Sequence, residues 1–150
     1  TIRGLLDSGA GLAKFGEFVE AQGGDRRIVQ ETHLLRQASR KMELRAAHEG
    51  YIVRMDSAEI GRAAILLGAG RAKKGDSIDL AAGIKLHRRC GEFIAAGDVL
   101  ATLFFNEMIE PARAGLLIEK SIHIGKKKIP AGALIAGTVA SSGWHEGSER

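Results

Sequence analysis

The stretch from Gly68 to Ser77, GAGRAKKGDS, carries paired glycines, three cationic side chains and a terminal hydroxyl, the ingredients of a phosphate cradle. A Walker-type loop needs Gly, four residues, Gly, Lys, then Ser or Thr, so that backbone amides and the lysine surround the anion. Gly70 and Gly75 have that spacing and Ser77 supplies the hydroxyl, but Asp76 stands where the lysine belongs and inverts the charge. The dinucleotide-binding pattern fails as well: counted from Gly68 and Gly70, its third glycine falls on Lys73. Phosphate loops also open a helix, where free N–H groups and the positive dipole end face the ligand, whereas this loop follows a helical pattern and closes it. A helix C-terminus exposes carbonyls and a negative dipole end, which makes Arg71, Lys73 and Lys74 local partners of the helix end. The functional alternative is that Arg71, held on a glycine-rich loop with Gly68 and Gly70, faces something outside its own domain.

The remaining reactive side chains do not assemble a constellation. His87 ends an apolar run in IKLHRR and reads as a strand-end histidine before it reads as an acid–base group. His33, His48, His123 and His145 share no ligand spacing, so neither a metal site nor a cofactor is expected. Cys90 is the sole cysteine, which excludes an intrachain disulfide. It lies beside Arg88 and Arg89 without an accompanying His and Asn, and is expected as a small, partly buried residue.

The elements that must position these residues follow from composition and pattern. At 150 residues, one domain or one domain with an appendage is expected. Hydrophobic content of 45% and charged content of 27% are ordinary for a globular chain. The net charge of +4 is mild, and aromatics make up only 5% of the chain. Without a stacking surface or a long basic run, nucleic-acid binding is not expected. GKKKIP, Gly125 to Pro130, reads as a solvated turn. No stretch suits a membrane span and no signal peptide opens the chain, so a cytoplasmic location is expected. The chain opens at Thr1 inside a helical pattern, which points to a piece of a longer polypeptide.

Leu12, Phe15, Phe18 and Val19 recur at helical spacing, and Gln22–Asp25 (QGGD) stops that helix. Asp25 is placed to cap a short turn through Val29. Residues 30–41 have no sustained period and read as a linker. From Met42, MELRAA and YIVRM flank His48-Glu49-Gly50 as a hairpin would. Asp56 and Glu59 have the spacing of a capping box. Ile60, Ala64 and Leu67 then share a helical face, and Gly68 occupies the position after the cap. IDLAAGIKLHR is apolar enough for one or two buried strands broken at Gly83. CGEFIAAGDVLATLFF reads as glycine turn, strand, Gly-Asp turn, strand. NEMIEPARAGLLIEKSI reads as a helix with Pro111 in its first turn, LIAGTVA as the last strand, and 141–150 as a frayed, flexible tail. Glycine-punctuated strands without βαβ alternation argue against a Rossmann fold. The expected class is α+β: a terminal helical segment, then a glycine-rich mixed sheet domain with a barrel-sandwich-like part and packed helices.

The 46-residue stretch GRAAILLGAGRAKKGDSIDLAAGIKLHRRCGEFIAAGDVLATLFFN (Gly61–Asn106) resembles the C-terminal domain of pyrimidine-nucleoside and thymidine phosphorylases. AKFGEFVEAQGGDRRIV (Ala13–Val29) is similar to the last helix of that family's central α/β domain. The resemblance is collinear from about Lys14 to Asn106, with FVEAQGGD, LGAGR and IDLAAGI in order. Glu119–Gly125, EKSIHIG, resembles the family's closing helix. The resemblance implies residues 1–29 as the end of a central domain, 30–41 as linker and 42–140 as the C-terminal domain. It further implies a homodimeric enzyme that splits a pyrimidine nucleoside with phosphate into base and pentose 1-phosphate, in a cleft formed elsewhere. The family's Lys-His-Ser-Thr-Gly-Gly phosphate loop and its base-reading Arg, Ser and Lys do not occur here. No catalytic residue is therefore carried over. Gly68, Gly70, Arg71 and His87 are the cleft-facing candidates, and the partner is the remainder of the enzyme. HEGYIVRMD and CGEFIAAGDVLATL are similar to the halves of a biotinyl/lipoyl barrel sandwich, but no carrier lysine motif lies between or after them. A free-standing binding module of the same fold is the alternative.

Overall fold

Val99–Phe105, VLATLFF, forms the longest strand of the computed structural model, which describes residues 1–106, 110–130 and 135–146. Four successive residues of this strand, Leu100 to Leu103, are buried. A half-solvated strand alternates, so an unbroken buried run requires cover on both faces.

The elements in chain order are α1 (Ile2–Asp7), α2 (Ala10–Ala21), two 3-10 turns (Arg26–Val29 and Thr32–Leu34), β1 (Arg40–Arg45), β2 (Gly50–Met55), α3 (Ser57–Leu66), β3 (Gly83–Leu86), β4 (Phe93–Ile94), β5 (Val99–Phe105), α4 (Pro111–Ser121), β6 (Ile122–Gly125), β7 (Gly137–Ala140) and β8 (Gly143–Glu146). Two three-stranded sheets are ordered β1-β5-β3 and β4-β2-β6, and β7 and β8 form a separate pair. All described pairings are antiparallel, and neither sheet closes into a barrel. In the first sheet Met42 and Ile84 flank Leu103, and Leu44 and Leu86 flank Ala101. Backbone bonds stitch the loops: the Ala46 N–H donates to the Asp98 carbonyl (2.9 Å), and the Gly97 N–H to the Ala46 carbonyl (2.8 Å). One core cluster joins the two three-stranded sheets to α3 and α4, through Leu44, Ile52, Ala63, Ile94, Leu103 and Ile118. Pro111 sits in the first turn of α4, as its missing N–H allows.

Four expectations need correction. MELRAA and YIVRM are strands, but they do not pair as a hairpin. β1 pairs with β5 and β2 with β4 and β6, because a lone two-stranded ribbon is marginal while each strand gains a buried face across the domain. IDLAAGIKLHR yields one strand starting at Gly83, and as an edge strand it leaves Lys85 and Leu86 exposed. In EKSIHIG the helix stops at Ser121: Ile122 and Ile124 then alternate with His123 as a strand does, and pair along β2. LIAGTVA is not the last strand, since Val139 of β7 lies opposite Trp144 of β8 within the segment expected to fray. Trp144 is exposed, in keeping with a place outside the core.

The first 38 residues are built differently. Asp25 caps the turn Arg26–Val29 by accepting the Arg27 N–H (2.9 Å). Gly16 is the only buried residue of α2, because Arg26 lies across it; a Cβ there would sit 3.0 Å from the Arg26 Nε. Ile2 (79% exposed), Leu6 (70%), Phe15 and Phe18 (59%) leave an apolar face in solvent. Among the described residues no hydrogen bond or salt bridge joins residues 1–38 to residues 40–146.

Truncating the fully buried Ile52 to Ala is expected to cost about 2–5 kcal/mol. Urea unfolding of the chain checks it: the midpoint should fall with an unchanged slope.

Candidate functional site

The loop Gly68–Ser77 is positioned by the end of α3. That helix starts at Asp56, whose carboxylate accepts the N–H groups of Ala58 (3.1 Å) and Glu59 (3.2 Å). The reciprocal half of the capping box is not made. The Asp56 N–H donates instead to the Ser121 carbonyl (2.9 Å), and Glu59 pairs with Arg62. The far end closes as a Schellman motif: Gly68 has φ +91°, its N–H reaches the Ile65 carbonyl (2.9 Å), and the Ala69 N–H reaches the Ala64 carbonyl (3.0 Å). Backbone amides thus satisfy these carbonyls, and Arg71 makes no hydrogen bond or ion pair among the described residues. Gly70 is pressed onto the helix, since a Cβ there would lie 2.8 Å from the Ile65 Cγ1. Asp76, the residue that breaks the Walker pattern, accepts the Lys73 N–H (2.8 Å) and closes its own turn.

Gly68 lines a cavity of about 330 Å³ with Arg36, Ser77, Asp79 and Asn106. The Asn106 Nδ2 donates to the Asp79 Oδ2 (2.7 Å), and the Asn106 Oδ1 accepts the Ser39 N–H (2.7 Å). The Asp79 Oδ1 accepts the Ala81 N–H (3.0 Å). The Ala81 N–H first, then the Asn106 amide and more weakly Arg36, hold the Asp79 carboxyl below its ordinary range. These bonds clip the segment before β1 to the end of β5. Gly68 and Gly70 share a smaller cavity, about 260 Å³, with Asp76 and Ser77. Arg71 faces a third, about 460 Å³, between α3 and α4.

His87 lies elsewhere, just past β3. Its Nε2 is 2.9 Å from the hydroxyl of Thr102, one of the two buried polar side chains among the described residues. Cys90 is exposed in the turn before β4, not partly buried as expected, because that turn projects from the edge strand of its sheet. The structure thus places Gly68, Gly70 and Arg71 on one loop and His87 apart from them, just past the end of β3. Sequence reading missed Asp79, Asn106 and Ser39. Asp79 carried a legible signal, an Asp able to accept the N–H two residues on; the 27-residue reach to Asn106 carried none. Among the described residues no group of His, Cys, Asp and Glu is placed to hold a metal, and no helix is long and apolar enough to cross a membrane.

Residues 51–125, β2 through β6, match the family described as the pyrimidine nucleoside phosphorylase C-terminal domain. The chain belongs to this family. The match takes in α3, the Gly68–Ser77 loop and the Asp79–Asn106 pair, and leaves α1 and α2 outside. A pyrimidine-nucleoside phosphorylase of Staphylococcus aureus (strain bovine RF122 / ET3-1) is 42% identical over 101 residues, and that of strain USA300 is 41% identical over the same length. Each alignment covers 67% of this chain and 23% of the relative, so the chain spans less than a quarter of the relatives it matches.

Because the folded Asp79 carboxyl is depressed, the stability it contributes is present above about pH 4, the pKa of an unfolded-chain Asp, and drains away as pH falls through its lower folded value. Asp79→Asn is therefore expected to lower the melting temperature near neutral pH and to flatten its decline below pH ~4. Melting curves that stay parallel to the parent's across that window would contradict the assignment.

Proposed function

We propose that this chain is the C-terminal portion of a pyrimidine nucleoside phosphorylase, an enzyme that converts pyrimidine nucleoside and phosphate to base and pentose 1-phosphate. The observation that carries this reading is the family match over 51–125, joined to relatives of that name at 41–42% identity. The reaction needs a phosphate held against the anomeric carbon and a donor for the departing base. No residue of this chain is assigned to either task, so the chain supplies structure rather than chemistry. Residues 1–29 complete the central α/β domain, 30–41 link, 42–140 form the C-terminal domain and 141–150 the tail. The exposed apolar face of α1 and α2 supports that division, since unpartnered faces of this kind mark sites of contact with further protein.

In the whole enzyme, a homodimer working in the cytoplasm, the loop Gly68–Arg71 forms the cleft-facing edge of this domain. Its pinned backbone supports that role, because a wall must hold its shape while substrates enter. The hydrogen bond of His87 to buried Thr102 supports a structural part for that histidine beside the cleft rather than proton transfer. A free-standing module is not favoured.

The purified chain, incubated with uridine or thymidine and phosphate, is expected to release no base above the blank. Phosphate-dependent release of uracil or thymine would overturn the assignment of catalysis to residues outside this chain.

A further inference from the structure

Several cavities contain cations, and most of those cations are answered. In the cavity between α2 and the first 3-10 turn, about 520 Å³, Arg26 faces Glu20 (3.7 Å) and Arg27 donates to Asp25 (2.6 Å). In the Gly68 cavity Arg36 and Asp79 line the same wall without an ion pair between them. The groove between α3 and α4 differs. Ile65, Leu66 and Leu117 give it apolar walls, and three arginines, Arg62, Arg71 and Arg113, line it together with one carboxylate, Glu59. Arg62 is paired with Glu59, and Arg113 with Glu110 at 2.9 Å. Arg71 has no partner among the described residues, so three cations meet two carboxylates and one positive charge is left over. Both arginines are two-thirds exposed, Glu110 is exposed and Glu59 half-buried, so the Arg113 pair exchanges the more readily.

The backbone holds Arg71 in place. Gly68 turns the chain through a left-handed conformation that an L side chain rarely adopts, and Gly70 lies in contact with Ile65. The guanidinium therefore starts from a fixed point beside the apolar walls. A guanidinium fork matches a phosphate or carboxylate through paired hydrogen bonds. A cavity of about 460 Å³ with apolar walls and a few convergent charges has the size and character of a small-molecule site.

We propose that the α3–α4 groove binds a small organic phosphate monoester, its apolar body on Ile65, Leu66 and Leu117 and its dianionic head on Arg71, with Arg113 and Arg62 turning from their carboxylates to share the second charge. Arg71 meets the first charge of the head, and the second is met only as Arg113 or Arg62 exchanges its carboxylate for the ligand. The site is complete within α3, α4 and the Gly68–Ser77 loop, so it does not depend on the phosphorylase reading.

Phenyl phosphate is a suitable probe, titrated into the isotopically labelled chain and followed by amide NMR shifts. Saturable shifts confined to Leu66, Arg71, Ala72 and Leu117 are expected. Arg71→Ala should weaken binding at least fivefold, Arg113→Ala less, and Arg54→Ala, an arginine outside the groove, should leave it unchanged. Inorganic phosphate, lacking the apolar body, and phenol, lacking the head, should each bind more weakly. No saturable shift, an equal loss on Arg54→Ala, or inorganic phosphate binding as tightly as phenyl phosphate would each overturn the proposal. Should Arg71→Ala disturb the fold, visible as shifts in the free protein, Arg113→Ala on the other wall carries the same test.

Discussion

Cover on both faces of β5 is the constraint on which this domain depends. Leu100 to Leu103 are buried in succession, so neither side of the strand can be left to water. β1 and β3 take its two edges, and α4 lies against β1 and β5. The core cluster extends from there to α3 and to the second sheet through Ile52 and Ile94. Two details follow. Thr102 brings a hydroxyl into this interior, and His87 supplies its hydrogen bond, as a buried polar group requires. Ser121, buried at the end of α4, donates to the Ile118 carbonyl (2.8 Å).

The helices before β1 obey a different balance. α1 has six residues and α2 twelve, lengths at which an isolated helix is marginal in water. Tertiary burial normally makes up the difference, yet most of their large apolar side chains are exposed. Phe15 and Phe18 stack on each other with centroids 6.5 Å apart, which covers little of either ring. The same chain thus joins a region that buries its own core to one whose apolar face is unpartnered. The phosphorylase reading gives that face an occupant, the rest of a central domain.

Local signals in the sequence were legible where one short-range interaction decides the outcome. Asp25 and Asp56 cap the elements expected of them, Gly68 takes the left-handed position after α3, and Pro111 opens α4. In the Walker-like loop, Asp76 closes a turn by accepting the Lys73 N–H. Pairing was less legible because it is decided at a distance. β1 and β2 are four residues apart, which suggests a hairpin, but their partners lie around residues 93–125. The end of α4 was missed because Ser121 to Gly125 suits a helical period nearly as well as a strand, and only β2 decides between them. The candidate site divided in the same way. Glycine chemistry pointed to the Gly68–Arg71 loop, whereas the Asp79–Asn106–Ser39 clip is a matter of register between distant segments.

Native-state hydrogen exchange on the 150-residue chain tests this division most directly, because it reads the stability of each segment separately. The amides of Leu100 to Leu103 are expected to exchange only on global unfolding. Those inside α2 should exchange orders of magnitude faster, as expected of helices that lack the protein they pack against. Equal protection of α2 and β5 would mean that the N-terminal helices are stable without a larger partner, and would contradict their assignment to the end of a central domain.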